Sequence, residues 1–368
     1  MDKNTFKGFL KKFIIFSAAL LLICIFTVIL FDPFFQYHKP LPGLKAVLTD
    51  KEYQCVGSLK NFDYDSVIAG SSVAENYNNG WFDQGFQCRS IKAIRSYGAT
   101  ADLCYLLDIA FEHQELKYVF YNLDPSALVA SPETTYELTG CPMYLYDDNY
   151  LNDVQYWLNK DVLFEKIPYL IAQSLIGDYD EGNSYNWAQW KNFNSDMILG
   201  LYIRKPSIDE MKPETYYQDL LSQNLEILTA RIKEHPETQF LIFVPPYSMI
   251  WWDNLYRDGD TDAYLYNMQT AYETLLSYEN VTLYSFQNDR EIITNLENYM
   301  DTLHFSPEIN HLMCDSLIEG THRITRENYL SEIEDMRTEP GRIDAILRLP
   351  STSARGSSPR RVRPAAPP

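Results

Sequence analysis

The sequence lacks the residue patterns that mark several common classes of site. Its six cysteines include no CxxC pair and follow no regular spacing, which excludes a cysteine-ligated metal site and a disulfide framework. We expect them as core residues or as one disulfide. There is no glycine-rich phosphate loop and no cluster of metal-ligating residues, so neither a metal nor a cofactor is expected.

A positive charge balance is also absent. The formal net charge of the 368 residues is −19, which argues against a nucleic-acid partner bound through its phosphates. With 46% hydrophobic and 14% aromatic residues, the chain can bury a sizeable core and is not a disordered chain. Its length suits one large α/β domain with insertions or two smaller domains.

One long apolar run lies near the N-terminus. Residues 13–31 carry no charge, and as a helix they span about 28 Å, close to the thickness of a hydrocarbon core. Four lysines lie within residues 1–12, and such a positive flank stays in the cytoplasm. We therefore predict a cytoplasmic N-terminus, a transmembrane anchor over 13–31 and an extracytoplasmic remainder, that is, a single-pass protein of the cell membrane. A cleaved signal peptide is the alternative, but the run is long for one and no small-x-small site follows it.

Alternating strand and helix patterns follow between residues 65 and 330. Strands are predicted from residue 65 and over 88–94, 117–123, 238–244 and 281–286, and helices over 101–113, 215–235, 264–277 and from Ser306 to about Ile318. Strand, helix and strand at this spacing indicate right-handed crossovers and a parallel sheet. The predicted fold is a doubly wound, flavodoxin-like α/β domain behind a transmembrane helix.

Three segments fall outside this alternation. Residues 32–64 contain three prolines and are predicted as a juxtamembrane segment extended over the membrane surface. Residues 131–213 show little strand pattern and are predicted as an insertion over the carboxyl edge of the sheet. Residues 331–368 are predicted as a disordered tail, since 341–368 contain no aromatic residue. That end is either foreign to the body of the chain or a cationic tail for an anionic wall polymer.

Two serines and a histidine are placed where α/β folds bind their ligands. Ser71 and Ser72 follow Gly70 on the turn leaving the first strand, at the carboxyl end of the predicted sheet. His304 lies on the loop before the last helix and can reach the same edge. Asp301, three residues earlier, can accept a hydrogen bond from the other imidazole nitrogen and fix the tautomer. In the absence of the other residues, the two serines would indicate an ordinary small-residue turn, and His304 would be an ordinary loop histidine.

These residues, in this order, resemble those of the SGNH (GDSL-like) hydrolases. The likeness rests on Gly70-Ser71-Ser72, on Gly98 after the second strand, on the polar turn after the third and on Asp301-x-x-His304. The segments NFDYDSVIAGSSVAENY and DTLHFSPEINHLM look like membrane-anchored bacterial members similar to teichoic-acid D-alanylation and alginate-acetylation type proteins. The resemblance covers about residues 60–320 without the insertion.

The resemblance implies a role for each matching residue. Ser72 falls on the nucleophile and Ser71 on the position of the family's aspartate, with Ser71 left as the alternative nucleophile. His304 is implied as general base and Asp301 as its orienting residue. Backbone N–H groups of Ser72 and Gly98 are implied as oxyanion donors. The chain departs from the family after the third strand, where Leu123 occupies the position of the asparagine donor.

Several polar and aromatic residues are candidates for supporting roles. Asn122 or Asp124 could replace the missing oxyanion donor, and Asp124 and Ser71 are also candidates for substrate binding. In the insertion, Tyr185, Trp187 and Trp190 either stack on sugars or form a small core of their own.

The resemblance implies two different functions. One is a serine-dependent esterase or O-acyltransferase acting on an acylated cell-envelope glycan or wall polymer. The other is a non-catalytic protein that binds such a polymer or a membrane-bound O-acyltransferase partner. Hydrolysis and transfer use the same triad, so the sequence does not separate them.

Overall fold

The computed structural model describes residues 3–206 and 208–348 and contains a six-stranded, mostly parallel sheet. The strand order is β2-β1-β3-β4-β5-β6, and only β6 is antiparallel to its neighbour. The strands are β1 (Ser66–Gly70), β2 (Ser90–Ile94), β3 (Tyr118–Asn122), β4 (Gln239–Val244), β5 (Val281–Ser285) and β6 (Arg323–Ile324).

Thirteen α-helices occur in the described residues. They are α1 (Lys3–Phe31), α2 (Lys51–Asn61), α3 (Asn79–Phe86), α4 (Thr100–His113), α5 (Val154–Trp157), α6 (Ile167–Leu175), α7 (Ser195–Leu201), α8 (Gln218–Glu234), α9 (Met249–Arg257), α10 (Thr261–Leu275), α11 (Arg290–Ile293), α12 (Pro307–Glu319) and α13 (Tyr329–Arg348). A π-helical turn, Val162–Lys166, leads directly into α6.

Helices pack against both faces of the sheet. On one face Phe82 of α3 contacts Phe120 of β3, with ring centroids 4.7 Å apart. Phe111 of α4 contacts Phe240 of β4 at 6.4 Å. Phe120 is paired in register with Leu241, so Phe120 and Phe240 point to opposite faces. The carboxyl ends of β1 and β3 lie side by side and form the edge at which the candidate site is built.

The predicted mixed α/β architecture is confirmed, and each predicted strand and helix is present within a few residues of its expected bounds. The patterns missed the short elements α3, α9 and β6, and also α2 and the long C-terminal α13. α1 is apolar and long enough to cross a membrane from Thr5 to Phe31, as predicted.

The prediction that residues 32–64 are extended over the membrane surface is wrong. α2 occupies the second half of the segment, and the first half folds against the domain. The buried Asp32 carboxylate accepts hydrogen bonds from the backbone N–H groups of Gln36, Tyr37 and His38 and therefore turns the chain sharply after α1. A Cβ on Gly57 would lie 2.4 Å from the carbonyl oxygen of Phe34, so only glycine lets α2 pack this closely.

The prediction of a disordered tail from residue 331 is wrong as far as Arg348. Residues 329–348 form α13, which packs on α9 and α10 and buries Ile333, Met336 and Ile343. The absence of aromatic residues misled the prediction, because the buried side of this helix contains no aromatic side chain. The rest of the predicted tail, 349–368, lies outside the described residues.

The predicted insertion contains no strand among its described residues and has a small core of its own. Tyr136, Tyr156, Leu170 and Tyr185 are buried there. The segment also packs on the chain after α1, since the backbone N–H of Tyr185 donates to the carbonyl of Leu48 at 2.8 Å. The insertion thereby joins the juxtamembrane segment to the carboxyl edge of the sheet.

Candidate functional site

Ser72, His304 and Asp301 form a continuous hydrogen-bonded chain at the carboxyl edge of β1. Ser72 Oγ lies 2.8 Å from His304 Nε2, and His304 Nδ1 lies 2.7 Å from Asp301 Oδ2. Both distances are those of a nucleophile bound to a base and of a base held by a carboxylate. With the Nδ1 proton donated to Asp301, Nε2 is free to accept the proton of the serine hydroxyl.

Hydrogen bonds from its own backbone hold the loop that carries His304 in place. The N–H groups of Leu303 and His304 donate to Asp301 Oδ1 at 2.9 and 2.8 Å. Burial favours a raised pKa for Asp301, but the hydrogen bonds from the imidazole and from the two backbone N–H groups outweigh it, and the pKa lies below its ordinary value. Asp301 is therefore an ionised orienting group at neutral pH. Ser248 ties the loop to the end of β4 by donating from Oγ to the carbonyl of Thr302 at 2.9 Å.

The turn that carries Ser72 depends on a close approach at Gly70. A Cβ at this position would lie 2.6 Å from the Cβ of Ala74 and 2.8 Å from the Cβ of Asn122. Asn310 of α12 donates to the carbonyl of Val73 at 3.2 Å and ties the turn to the last helix before β6. Within the described part of the chain, the backbone N–H of Ser72 has no acceptor, so it is free to bind an oxyanion.

The two serines have different surroundings. Ser71 is buried beside Asp124, whereas Ser72 is half-buried and contacts the histidine. Burial raises the pKa of Asp124, although hydrogen bonding from the Ser71 and Tyr247 hydroxyls opposes the rise. This geometry favours Ser72 over Ser71 as the hydroxyl that His304 can deprotonate.

Two of the predicted oxyanion donors are engaged elsewhere. The N–H of Gly98 donates to the carbonyl of Arg95 at 3.0 Å, because residues 95–98 form a tight turn. Asn122 is fully buried behind Gly70 and donates to Asp124 Oδ1 at 3.3 Å. In this arrangement both groups bind acceptors within the protein, and their roles as oxyanion donors stay predictions.

The insertion contributes one aromatic residue that contacts the site directly. Trp187 donates from Nε1 to the carbonyl of Ser72 at 3.0 Å, and its ring lies edge-on to the His304 ring at 5.1 Å. Tyr185 is buried in the core of the insertion. Trp190 is 79% exposed near the same opening.

Ser72 lies between two cavities. The smaller, about 270 Å³, is lined by Ser71, Gly98, Asp124, Tyr247 and His304 together with apolar side chains. The larger, about 490 Å³, lies on the side of the insertion and is lined by Lys51, Glu75, Tyr179, Trp187 and Trp190 among others. Ser72 therefore lines two chemically different cavities.

Sequence reasoning missed several residues that shape this site. Tyr247 directly follows β4 at the same sheet edge, and that position alone could have identified it. Lys51 and Glu75 form an ion pair with a 3.2 Å contact inside the larger cavity, but they lie on different elements with no shared motif. The contact of Trp187 with Ser72 depends on how the insertion folds back, which no spacing in the sequence encodes.

Neither a scan against protein-family models nor a search of curated proteins finds a match to this chain. The functional argument therefore depends on the geometry of the site and on its chemistry.

Proposed function

We propose that this protein is a membrane-anchored, extracytoplasmic, SGNH-like esterase or O-acyltransferase that acts on an acylated envelope glycan or polymer. The observation that carries the proposal is the unbroken chain from Ser72 Oγ through His304 to Asp301, with contacts of 2.8 and 2.7 Å. The strand order 2-1-3-4-5 and the helices on both faces support a doubly wound domain with its site at the switch point between β1 and β3.

The residues support acyl transfer through a covalent intermediate. His304 Nε2 takes the proton of Ser72 as Oγ attacks the ester carbonyl, and the resulting oxyanion lies near the free N–H of Ser72. Collapse of this tetrahedral intermediate expels the alcohol, which takes the proton from His304 and leaves the acyl group on Oγ. Water or a sugar hydroxyl then repeats the steps in reverse order and frees the serine.

The two cavities bear on the choice between hydrolysis and transfer. The smaller one has apolar lining residues that suit an acyl chain, and the larger one has aromatic and charged residues that suit a polyol. A site that holds both partners at one serine favours transfer to a hydroxyl over release to water. We therefore favour the acyltransferase form of the proposal.

A non-catalytic binding protein is the second candidate. The observation that favours it is the engagement of the Gly98 N–H by Arg95, together with Leu123 at the position of the family's asparagine donor. An oxyanion site with the Ser72 N–H as its main donor stabilises the transition state less, because loss of one such donor costs about 10²–10³ in rate.

Covalent labelling distinguishes the two candidates. A fluorophosphonate reacts only with a serine whose hydroxyl is activated by a base, so the purified full chain should be labelled at Ser72. Ser72→Ala and His304→Ala should abolish labelling, and Ser71→Ala should retain most of it. Absence of labelling in the folded wild-type protein would favour the binding protein, and loss only in Ser71→Ala would move the nucleophile to Ser71.

A further inference from the structure

The insertion carries a helix that is apolar on its buried and its exposed sides. Residues Ile167–Leu175 contain no charged side chain. Ile167 and Leu170 pack into the domain, while Leu175 and the following Ile176 are 66% and 89% exposed. A helix that is apolar all round is normally covered on all sides, either by protein or by lipid.

Exposed large apolar side chains recur between residues 151 and 176, on this helix and on the elements that precede it. We call this set the apolar face and define it by Leu151, Val154, Leu158, Phe164, Leu175 and Ile176. Singly exposed apolar residues are ordinary on a protein surface, but a group of this size marks an interaction site.

The apolar face adjoins the predicted membrane anchor. Two of the elements that carry it, α5 and the π-helical turn Val162–Lys166, contact α1. Val28, almost a turn before the end of α1, is fully buried by the domain. At a rise of 1.5 Å per residue, Val28 lies about 4–5 Å along the helix axis from the C-terminal end of α1. The domain therefore extends beside α1 to the depth of its apolar run.

Aromatic residues with polar tips surround the point where the chain leaves α1. Trp157 donates from Nε1 to the Tyr37 hydroxyl at 2.7 Å, and Tyr37 donates to Asp153 at 2.6 Å. The ring of Tyr150 lies 5.8 Å from that of Tyr37. Tryptophan and tyrosine concentrate at the boundary between hydrocarbon and water, which is the level expected for the end of α1.

We infer that the apolar face is embedded in the outer leaflet of the bilayer beside α1, as a second membrane contact of the domain. This inference rests on the anchor in the proposed function. It identifies the bilayer as the occupant because the face continues from a helix that can span it. The charged residues between Leu151 and Ile176 all precede α6 and can remain at the headgroups: Asp153, Lys160, Asp161, Glu165 and Lys166. Since Tyr169 of α6 lines the larger cavity, the inference also places the rim of that cavity at the membrane surface.

Spin labelling in lipid vesicles tests the inference with a matched pair of isoleucines. Ile176 and Ile203 are 89% and 90% exposed, but Ile203 lies beside Arg204, which binds Asp253 and Asp344 of α9 and α13. Each is replaced by cysteine in the full chain carrying Cys24→Ser and Cys141→Ser, since the other four native cysteines are buried. The labelled protein is reconstituted, and collisions with oxygen and with a water-soluble nickel complex are compared.

The expected result is a severalfold higher ratio of oxygen to nickel collisions at residue 176 than at residue 203. Equal ratios in protein that floats with the vesicles would overturn the inference and leave the anchor intact. A label at residue 176 that neither reagent reaches would place protein, such as a second copy of the chain, over the face and would also overturn it. Failure of the protein to float would remove both the anchor and the inference, whereas fluorophosphonate labelling reports separately on the triad.

Discussion

At the scale of single residues, the proposed activity depends on a carboxylate that orients a base and does not itself react. Asp301 holds His304 by one oxygen and accepts two backbone N–H groups with the other. The substitution Asp301→Asn should preserve the conformation of the loop but weaken the control of the His304 tautomer. The rate of fluorophosphonate labelling should therefore fall by about 10²–10⁴-fold. Ser72→Ala should show no labelling, and labelling of Asp301→Asn at the wild-type rate would contradict the orienting role.

Trp187 provides a test of positioning by a single hydrogen bond. Trp187→Phe keeps a ring near His304 but removes the N–H that binds the carbonyl of Ser72. Loss of one hydrogen bond of about 0.5–1.5 kcal/mol predicts a labelling rate lower by about 2-fold to 13-fold. The matched control is Trp190→Phe, because Trp190 lines the same cavity and is exposed. Equal rates for the two variants would show that the Trp187 contact does not position the serine.

Lys92 makes stability depend on pH. Its ammonium is fully buried on β2 and donates to the carbonyls of Glu75 and Ser184. Burial lowers the pKa of Lys92 to about 7, although the Glu75 carboxylate opposes the shift. Above that pH the folded chain has lost a proton that the unfolded chain keeps up to about pH 10, so this group makes folding more favourable as pH rises.

The comparison with Lys92→Met isolates this effect from all other titrations. Between pH 7 and 9 the free energy of unfolding of the wild type should rise relative to the variant, by up to about 1.4 kcal/mol per pH unit. The measurement is chemical unfolding in detergent at several pH values, and well below pH 7 the difference should be constant. Parallel curves from pH 6 to 9 would mean that Lys92 stays protonated in the fold.

The residues of the triad were predictable because their positions follow from chain order. A serine directly after β1 and a histidine before the last crossover helix reach one sheet edge in any parallel fold of this kind. The contact of Trp187 with Ser72 and the Lys51–Glu75 pair were not predictable, because they depend on how the irregular insertion and the segment after α1 fold together. The hydrogen bond of the Gly98 N–H was not predictable either, because a glycine indicates a turn but does not show which acceptor its N–H will bind.

At the scale of elements, α13 shows where composition is a poor guide. Its residues lack aromatics after position 340, yet Ile343 is fully buried and Asp344 accepts hydrogen bonds from Arg204 and Arg257 at 2.7 and 3.0 Å. The regular strands were predictable from continuous apolar runs bounded by glycine and proline. α13 has only a sparse aliphatic stripe, and its partner surface on α9 and α10 is invisible in the local sequence.

The packing of α13 predicts a clear difference between two isoleucines of that helix. Ile343→Ala removes a fully buried side chain and should lower the free energy of unfolding by about 2–5 kcal/mol. Ile346 is 43% exposed, and Ile346→Ala should change it by about 0.5 kcal/mol. Denaturant unfolding of the purified variants measures both. If the two substitutions have equal, small effects, α13 does not pack on the domain as described.

At the scale of the whole molecule, the insertion contacts three regions that lie far apart in the sequence. It supplies Trp187 to the serine, Tyr185 to the segment after α1, and α5 to the side of α1 itself. The triad, the larger cavity and α1 are therefore parts of one packed body. If α1 spans a membrane as proposed, its orientation decides on which side of the membrane the triad lies.

That orientation gives the last prediction. Lys7, Lys11 and Lys12 precede the apolar run, and Asp32 follows it, so the N-terminus should remain in the cytoplasm and the domain should face outward. A reporter that is active only outside the cytoplasm should be active when fused to the C-terminus of the full chain, and one that is active only in the cytoplasm should be silent. The same fusions without residues 1–31 should give the opposite pattern, because they lack the segment that directs export. A cytoplasmic signal from the full chain would exclude envelope polymers as substrates and would place the proposed activity on the cytoplasmic side of the membrane.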